Sequence, residues 1–184
     1  MIEIGDNVHI TADCSILQHD YSWAVVQRIT GEVLGSCGTV HIGNNVFIGQ
    51  KSLILKGAEI GDNTIIGAGS VVTGRLEGNA VYAGTPAQKI SSLEAYIDKR
   101  RKLQLNEVVS LVREYERTYG KRPPKKLLRE FFWLFEPRDT QLNEAFQKVL
   151  QLDNNTERSW QAFAQSEPIF SSYEALLEYV ESNS

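Results

Sequence analysis

The chain has 184 residues, of which 42% are hydrophobic and 23% are charged, and its formal net charge at pH 7 is -4. This composition is ordinary for a globular protein and gives no general reason to expect nucleic acid as a partner. The N-terminus lacks the basic start and apolar run of a signal peptide, and no stretch approaches 18 apolar residues. We therefore expect a cytoplasmic protein without a membrane span.

Residues 1–90 carry a six-residue rhythm of aliphatic side chains in two unbroken registers. The rhythmic residues are Ile4, Ile10 and Ile16, then Ile42, Ile48, Ile54, Ile60, Ile66 and Val72. Small or modest side chains follow four places later in most repeats: Val8, Cys14, Val46, Ser52, Ala58, Thr64 and Ser70. A period of six fits neither an α-helix nor an alternating strand, and it predicts a three-sided parallel β-coil with three hexads in each turn.

Counting along this coil predicts three stacks of inward side chains. They are Ile4 with Ile42 and Ile60, Ile10 with Ile48 and Ile66, and Ile16 with Ile54 and Val72. Glycine follows many of the aliphatic residues of the first two stacks, and we expect it at tight corners that need a residue without a Cβ.

The rhythm stops after Ile16 and resumes at Ile42, after an interval that is not a multiple of six. The break predicts a loop inserted at about residues 20–40. It also predicts that His19 is the last residue of the first turn of the coil. Gly57 and Arg75 occupy the same corner in the turns above.

Every glycine except Gly120 lies in residues 1–90, so we predict a domain boundary there and a helical region over 91–184. Ser91 and Glu94 predict a capping box, and Gly120 predicts a helix end. The apolar segment 127–135 and the stretches 142–152 and 171–180 predict further helices. The region is expected to cover the open end of the coil.

The remaining cysteines and histidines do not form a metal-binding pattern. Cys14 and Cys37 are expected to be reduced and packed. His9 and His41 are expected to point outward at different corners, so we expect no metal site.

Two strings, VHIGNNVFIGQKSLILKGAEIGDNTIIGAGSVVTG and VYAGTPAQKI, resemble the hexapeptide-repeat acyltransferases, and LQHDYSW resembles the histidine segment of their sugar O-acetyltransferase branch. The resemblance implies a mainly β fold, a left-handed parallel β-helix followed by the α-helical region, and a homotrimer. It also implies an enzyme that uses acetyl-coenzyme A, bound in the groove between the β-helices of two subunits, to acetylate a sugar hydroxyl. Surface polysaccharide synthesis is the expected role.

This chemistry needs a base, because a sugar hydroxyl must lose its proton as it attacks a thioester carbonyl. Imidazole has a suitable pKa, so His19 is the predicted general base, and Asp20 is the nearest carboxylate that could orient its ring. Tyr21 and Trp23 are expected to form an acceptor wall, since flat amphipathic rings pack against sugar faces.

By the same resemblance, six residues are expected to contact the acyl donor. They are Gln50, Ala68, Thr73, Gly84, Thr85 and Lys89. Two other functions fit the residues: an N-acyltransferase acting on an amino sugar or an antibiotic, and a non-catalytic assembly subunit.

Overall fold

The computed structural model describes residues 1–139, 141–152 and 154–183. The chain forms two compact units, Met1–Lys99 and Arg100–Ser184. This division lies beyond the boundary predicted between residues 90 and 91, which stays a prediction.

The first unit is built mainly of strands of two or three residues. In chain order they are β1 Ile2–Ile4, β2 Val8–Ile10, β3 Ser15–Ile16, β4 His19–Asp20, β5 Ser36–Cys37, β6 Val40–Ile42, β7 Val46–Ile48, β8 Leu53–Ile54, β9 Glu59–Ile60, β10 Thr64–Ile66, β11 Val71–Val72, β12 Arg75–Leu76, β13 Ala80–Ala83 and β14 Gln88–Ser92. The helix α1, Trp23–Thr30, lies between β4 and β5.

The strands form three parallel sheets that the chain visits in turn. The first sheet has the order β1-β6-β9-β12, the second β2-β7-β10-β13 and the third β3-β8-β11. Strand β14 adds to the second sheet antiparallel to β13. The predicted parallel β architecture is therefore present in residues 1–99.

The strand register confirms the three predicted stacks. Ile60 pairs with Ile42, Ile66 with Ile48, and Val72 with Ile54. The two residues of each of these pairs are 18 residues apart in the chain. Ile4 pairs with Ile42 over a longer interval, because the insertion lengthens that turn of the coil.

The stacked side chains form the core of the first unit. Ile48, Ile54, Ile66 and Val72 are fully buried. Burial of an aliphatic side chain contributes roughly 1.5–3 kcal/mol, so the repeated aliphatics supply much of the driving force for folding.

Glycines that follow the stacked aliphatic residues lie at corners that leave no room for a Cβ, as expected. Left-handed backbone occurs at asparagines, including Asn45 and Asn63, whose side chains form a 2.8 Å hydrogen bond between coils. Gly49 has no positive φ, but a Cβ there would lie 2.5 Å from the backbone nitrogen of Ala68. Glycine is therefore required by the close approach of the next coil.

The predicted insertion is an antiparallel ribbon with a helix at its end. Strands β4 and β5 pair His19 with Cys37 and Asp20 with Ser36. We call residues 19–37 the ribbon.

The second unit, including the helix that leads into it, confirms the predicted helical region. Its helices are α2 Leu93–Tyr119, 3-10 helices at Lys125–Leu128 and Phe132–Leu134, α3 Glu144–Leu150, α4 Thr156–Gln165 and α5 Tyr173–Ser182. Two details were wrong. Ser92, not Ser91, caps α2 by accepting a hydrogen bond from the Ala95 N–H at 3.1 Å. The apolar segment 127–135 forms 3-10 turns in place of an α-helix.

An aromatic core holds this unit together and explains those short turns. Phe132 stacks on Phe146 with ring centroids 5.0 Å apart, and Phe135 and Phe163 are also buried. Short turns bring these rings together, and α4, which the sequence interpretation missed, supplies Phe163. Among the described residues, no helix is long and apolar enough to cross a membrane.

Candidate active site

His19 is exposed at the first position of the ribbon, where the chain leaves the coil. The Gly38 N–H donates to the Gln18 carbonyl at 2.8 Å and closes the ribbon at its root. Within the described part of the chain, the imidazole makes no hydrogen bond to another residue.

The corner position assigned to His19 was wrong in one respect. The chain beneath Gly57 is not His19 but the segment that returns from the ribbon, because the Gly57 N–H donates to the Thr39 carbonyl at 2.8 Å. His19 begins the ribbon beside this corner. The ribbon returns to the coil in time to restore the stacking register, which the hexad count alone did not reveal.

Asp20 is held by three side chains. Its carboxylate accepts hydrogen bonds from the Lys56 ammonium, the Ser22 hydroxyl and the Ser36 hydroxyl, the last at 3.2 Å. The Ser22 N–H also donates to it at 3.0 Å. Chiefly because of Lys56, and then Ser22, the pKa of Asp20 lies well below its usual range.

The expected hydrogen bond from Asp20 to the His19 ring is not among the contacts of the described residues. Both carboxylate oxygens are directed to Lys56, Ser22 and Ser36 instead. A catalytic role for Asp20 stays a prediction, and the direct orienting bond is not found.

Lys56 was missed by the sequence analysis. It follows β8 at a corner where the stacking count places residue 56 above residue 18, next to His19. That count was the available signal, but it did not reveal that the side chain reaches the ribbon.

Tyr21 and Trp23 lie together beside the site. Their ring centroids are 4.4 Å apart at an interplanar angle of 55°, and Tyr21 is 70% exposed while Trp23 is half-buried. The pair presents an accessible aromatic surface a few residues from His19.

Four of the predicted donor residues lie along one edge of the coil. Gln50, Ala68, Gly84 and Thr85 follow strands of the second sheet in successive coils. Hydrogen bonds connect these corners: the Gly69 N–H donates to the Gln50 carbonyl at 2.8 Å.

The other two predicted donor residues lie elsewhere. Thr73 follows β11 at the opposite edge of the third sheet, in the column that also contains Leu17 and Leu55. This column adjoins Lys56 and the root of the ribbon. Lys89 is exposed on β14 and pairs with Tyr82.

The cysteines and the other histidines differ in their environments. Cys14 is half-buried and donates to the Gly49 carbonyl at 3.2 Å, but Cys37 is exposed opposite His19, so the expectation that it packs was wrong. His41 contacts Glu3 at 2.8 Å. The described residues contain no group of three His, Cys, Asp or Glu side chains that could hold a metal ion.

Comparison with known proteins places these features in a family. The profile described as "Bacterial transferase hexapeptide (six repeats)" matches residues 39–74. Galactoside O-acetyltransferase of Escherichia coli K12 is 38% identical over 92 residues, which are 50% of this chain and 44% of that protein. Residues 39–74 of this chain therefore match the family of hexapeptide-repeat transferases.

Other known proteins match comparable parts of the chain. Protein CapG of Staphylococcus aureus is 40% identical over 114 residues, covering 58% of this chain and 66% of CapG. The chain thus spans about half to two thirds of the length of these two relatives. A solved galactoside acetyltransferase in complex with coenzyme A is 36% identical, with a TM-score of 0.42, and the match covers 50% of this chain and 45% of that one.

Proposed function

We propose that this protein is an acetyl-coenzyme A-dependent O-acetyltransferase that modifies a sugar hydroxyl, and that its coil is the left-handed β-helix of the family. The main support for this proposal is the exposed His19 at the root of the ribbon, which adjoins the coil edge that bears Thr73. A general base must be accessible to a bound hydroxyl, and His19 satisfies that condition. The names of the galactoside O-acetyltransferase relatives support the acceptor class.

In this mechanism His19 removes the hydroxyl proton as the sugar oxygen attacks the thioester carbonyl. Backbone amides stabilise the negative charge of the tetrahedral intermediate. The carbon–sulfur bond then breaks, and the imidazolium returns its proton to the departing coenzyme A sulfur.

The donor is proposed to lie along the third sheet, between the two edges that carry the predicted donor residues. Gln50, Ala68, Gly84 and Thr85 line one edge and Thr73 the other. Small residues at the first edge leave space for the pantetheine arm to approach the backbone. Lys89 is proposed to contact a phosphate near the nucleotide end.

The acceptor is proposed to be a saccharide used in surface polysaccharide synthesis, held against Tyr21 and Trp23. Their paired rings supply the flat amphipathic surface that sugar faces favour. The proximity of these residues to His19 in the chain supports a position from which a hydroxyl can reach the base. The cytoplasmic location expected from the N-terminus belongs to the same proposal.

A homotrimer is proposed because the outward faces of the coil differ in polarity. The first sheet presents Glu3, His41, Glu59 and Arg75, whereas Phe47 on the second sheet is 42% exposed. Helix α1 has no buried residue, and its Ile29 is 80% exposed. Apolar surface of this kind favours contact with another copy, so that the ribbon of one subunit lies against the coil of its neighbour.

The proposed activity is tested by measuring coenzyme A release against a panel of sugars, nucleotide sugars and matched amino sugars. We expect thiol release with a hydroxyl acceptor and its loss in His19→Asn, but not in the control His41→Asn on the charged first sheet. Preferential acetylation of amines would favour an N-acyltransferase. Absence of thiol release with every acceptor would favour a non-catalytic subunit.

A further inference from the structure

One ammonium group connects both strands of the ribbon to the coil. Lys56 follows β8 in the second coil, and its Nζ contacts Asp20 of β4 and Ser36 of β5. Asp20 and Ser36 are also cross-strand partners and share a 3.2 Å hydrogen bond. Lys56 therefore fixes the ribbon at a single point adjacent to His19.

The residues on either side of His19 are held by separate contacts. The Gln18 carbonyl accepts from the Gly38 N–H at 2.8 Å, and Asp20 is bound by Lys56, Ser36 and Ser22. The backbone of His19 lies between these two anchors. Release of the Lys56 anchor would leave the hydrogen bond at Gln18 and free the side of His19 that continues into α1.

We propose that Lys56 is a positioning residue, which acts through Asp20 and Ser36 to hold His19 where it can accept the acceptor proton. The inference rests on the proposed role of His19 as general base. Lys56 need not touch the substrate to have this effect, because a displacement of about 1 Å at a reacting group can reduce turnover about 10²-fold.

The exposure of the Lys56–Asp20 ion pair distinguishes a positioning role for Lys56 from a general contribution to the stability of the fold. The side chains of Lys56 and Asp20 are 31% and 39% exposed. Ion pairs that are this accessible to water contribute little to the free energy of unfolding. Loss of Lys56 should therefore change turnover much more than it changes the melting temperature.

The test compares Lys56→Met, which keeps the length of the side chain but removes its charge, with Lys56→Arg and with the control Lys121→Met. Lys121 is an exposed lysine outside the site. We expect Lys56→Met to lower kcat about 10- to 100-fold with an unchanged KM for acetyl-coenzyme A, Lys56→Arg to restore much of the loss, and Lys121→Met to have no effect.

A double-mutant cycle tests whether Lys56 affects kcat through Asp20. If Lys56 acts through Asp20, Lys56→Met should add little to the kcat loss of Asp20→Asn, since both remove the same anchor. Additive losses, or a fall in activity that only accompanies a lower melting temperature, would overturn the proposal.

Hydrogen exchange separates failure of this inference from failure of the proposed function. The Ser22 amide should exchange faster in Lys56→Met than in the wild type, while amides of β8 and β11 keep their rates. If the wild-type protein acetylates no acceptor, the proposed function is refuted. If the Ser22 amide also exchanges at the same rate in Lys56→Met as in the wild type, the anchoring of the ribbon by Lys56 is refuted as well. Unchanged exchange together with unchanged kcat would refute the positioning role alone.

Discussion

The coil and the ribbon are stabilised in different ways. In the coil, side chains such as Ile54 and Ile66 are fully buried and each is stacked on an equivalent residue of the next turn. In the ribbon, α1 has no buried residue, and the attachment relies on polar contacts at Asp20 and Ser36. The comparison shows that a repeated, buried scaffold can carry a segment that contributes little to the core, so substitutions in the two regions should have separable effects.

The sharpest separation is expected at His19. His19→Ala or His19→Asn should lower kcat by about 10²- to 10⁴-fold, equivalent to roughly 3 to 5 kcal/mol, because the proposed base is lost. The melting temperature should change by no more than a few degrees, since the side chain is exposed. Steady-state kinetics, acetyl-coenzyme A titration and thermal unfolding measure these quantities. Near-normal turnover with the true acceptor would exclude His19 as the base.

The reverse outcome is expected in the coil. Ile66→Ala removes a fully buried side chain and should reduce the free energy of unfolding by about 2–4 kcal/mol. Chemical denaturation measures this loss, and kcat of the protein that remains folded should stay close to wild type. Glu59→Gln, an exposed change on the first sheet, is the control. A loss below 1 kcal/mol for Ile66→Ala would mean that the stacked core contributes less than its burial indicates.

Assembly tests whether the exposed face of the ribbon meets another copy. Ile29→Glu places a charge on α1 at a position that is 80% exposed in the single chain. Sedimentation at micromolar concentration should show a trimer for the wild type and for Glu59→Gln, and a smaller species for Ile29→Glu, with reduced activity. A fully active wild-type monomer would contradict the proposed intersubunit site.

A smaller effect is expected at the proposed acceptor surface, Tyr21 and Trp23. Trp23→Ala should raise the KM for the acceptor about tenfold, which corresponds to roughly 1.4 kcal/mol, because one ring of the aromatic pair is lost. Acetyl-coenzyme A binding, measured by calorimetry, should not change. Trp160→Ala, in the second unit, controls for general loss of an aromatic side chain. Unaltered acceptor kinetics in Trp23→Ala would remove this residue from the site.

The smallest effect concerns the charge of Asp20. Its pKa lies below the ordinary value of 3.8, so its stabilising contribution is fully present above that value and is lost as pH falls below it. The melting-temperature difference between wild type and Asp20→Asn should therefore be constant from pH 7 to about 5 and decrease below pH 3.8. It should also decrease with added salt. A difference that increases toward acid pH would contradict this assignment.

Much of the fold follows from the sequence because the same spacing of aliphatic residues recurs in every turn of the coil. The spacing of Ile42, Ile48 and Ile54 is sufficient to predict which side chains stack, and the structure confirms the register. The end of α2 at Tyr119, just before Gly120, was predicted from a local signal of the same kind. By contrast, the prediction of an α-helix over the aromatic segment 127–135 was wrong. Its apolar content indicates burial but does not indicate the path of the backbone.

The sequence by itself determined the three stacks, the place of the insertion and the candidacy of His19. Tertiary structure alone decided that Gly38 and Thr39 return beneath Gly57, that Asp20 turns to Lys56 and not to His19, and that Cys37 lies exposed opposite His19. The physical reason is that periodic burial repeats the same constraint in every coil, whereas the ribbon occurs once. Its contacts depend on where one non-repeating stretch of backbone brings side chains that are 36 residues apart in the chain, as Asp20 and Lys56 are.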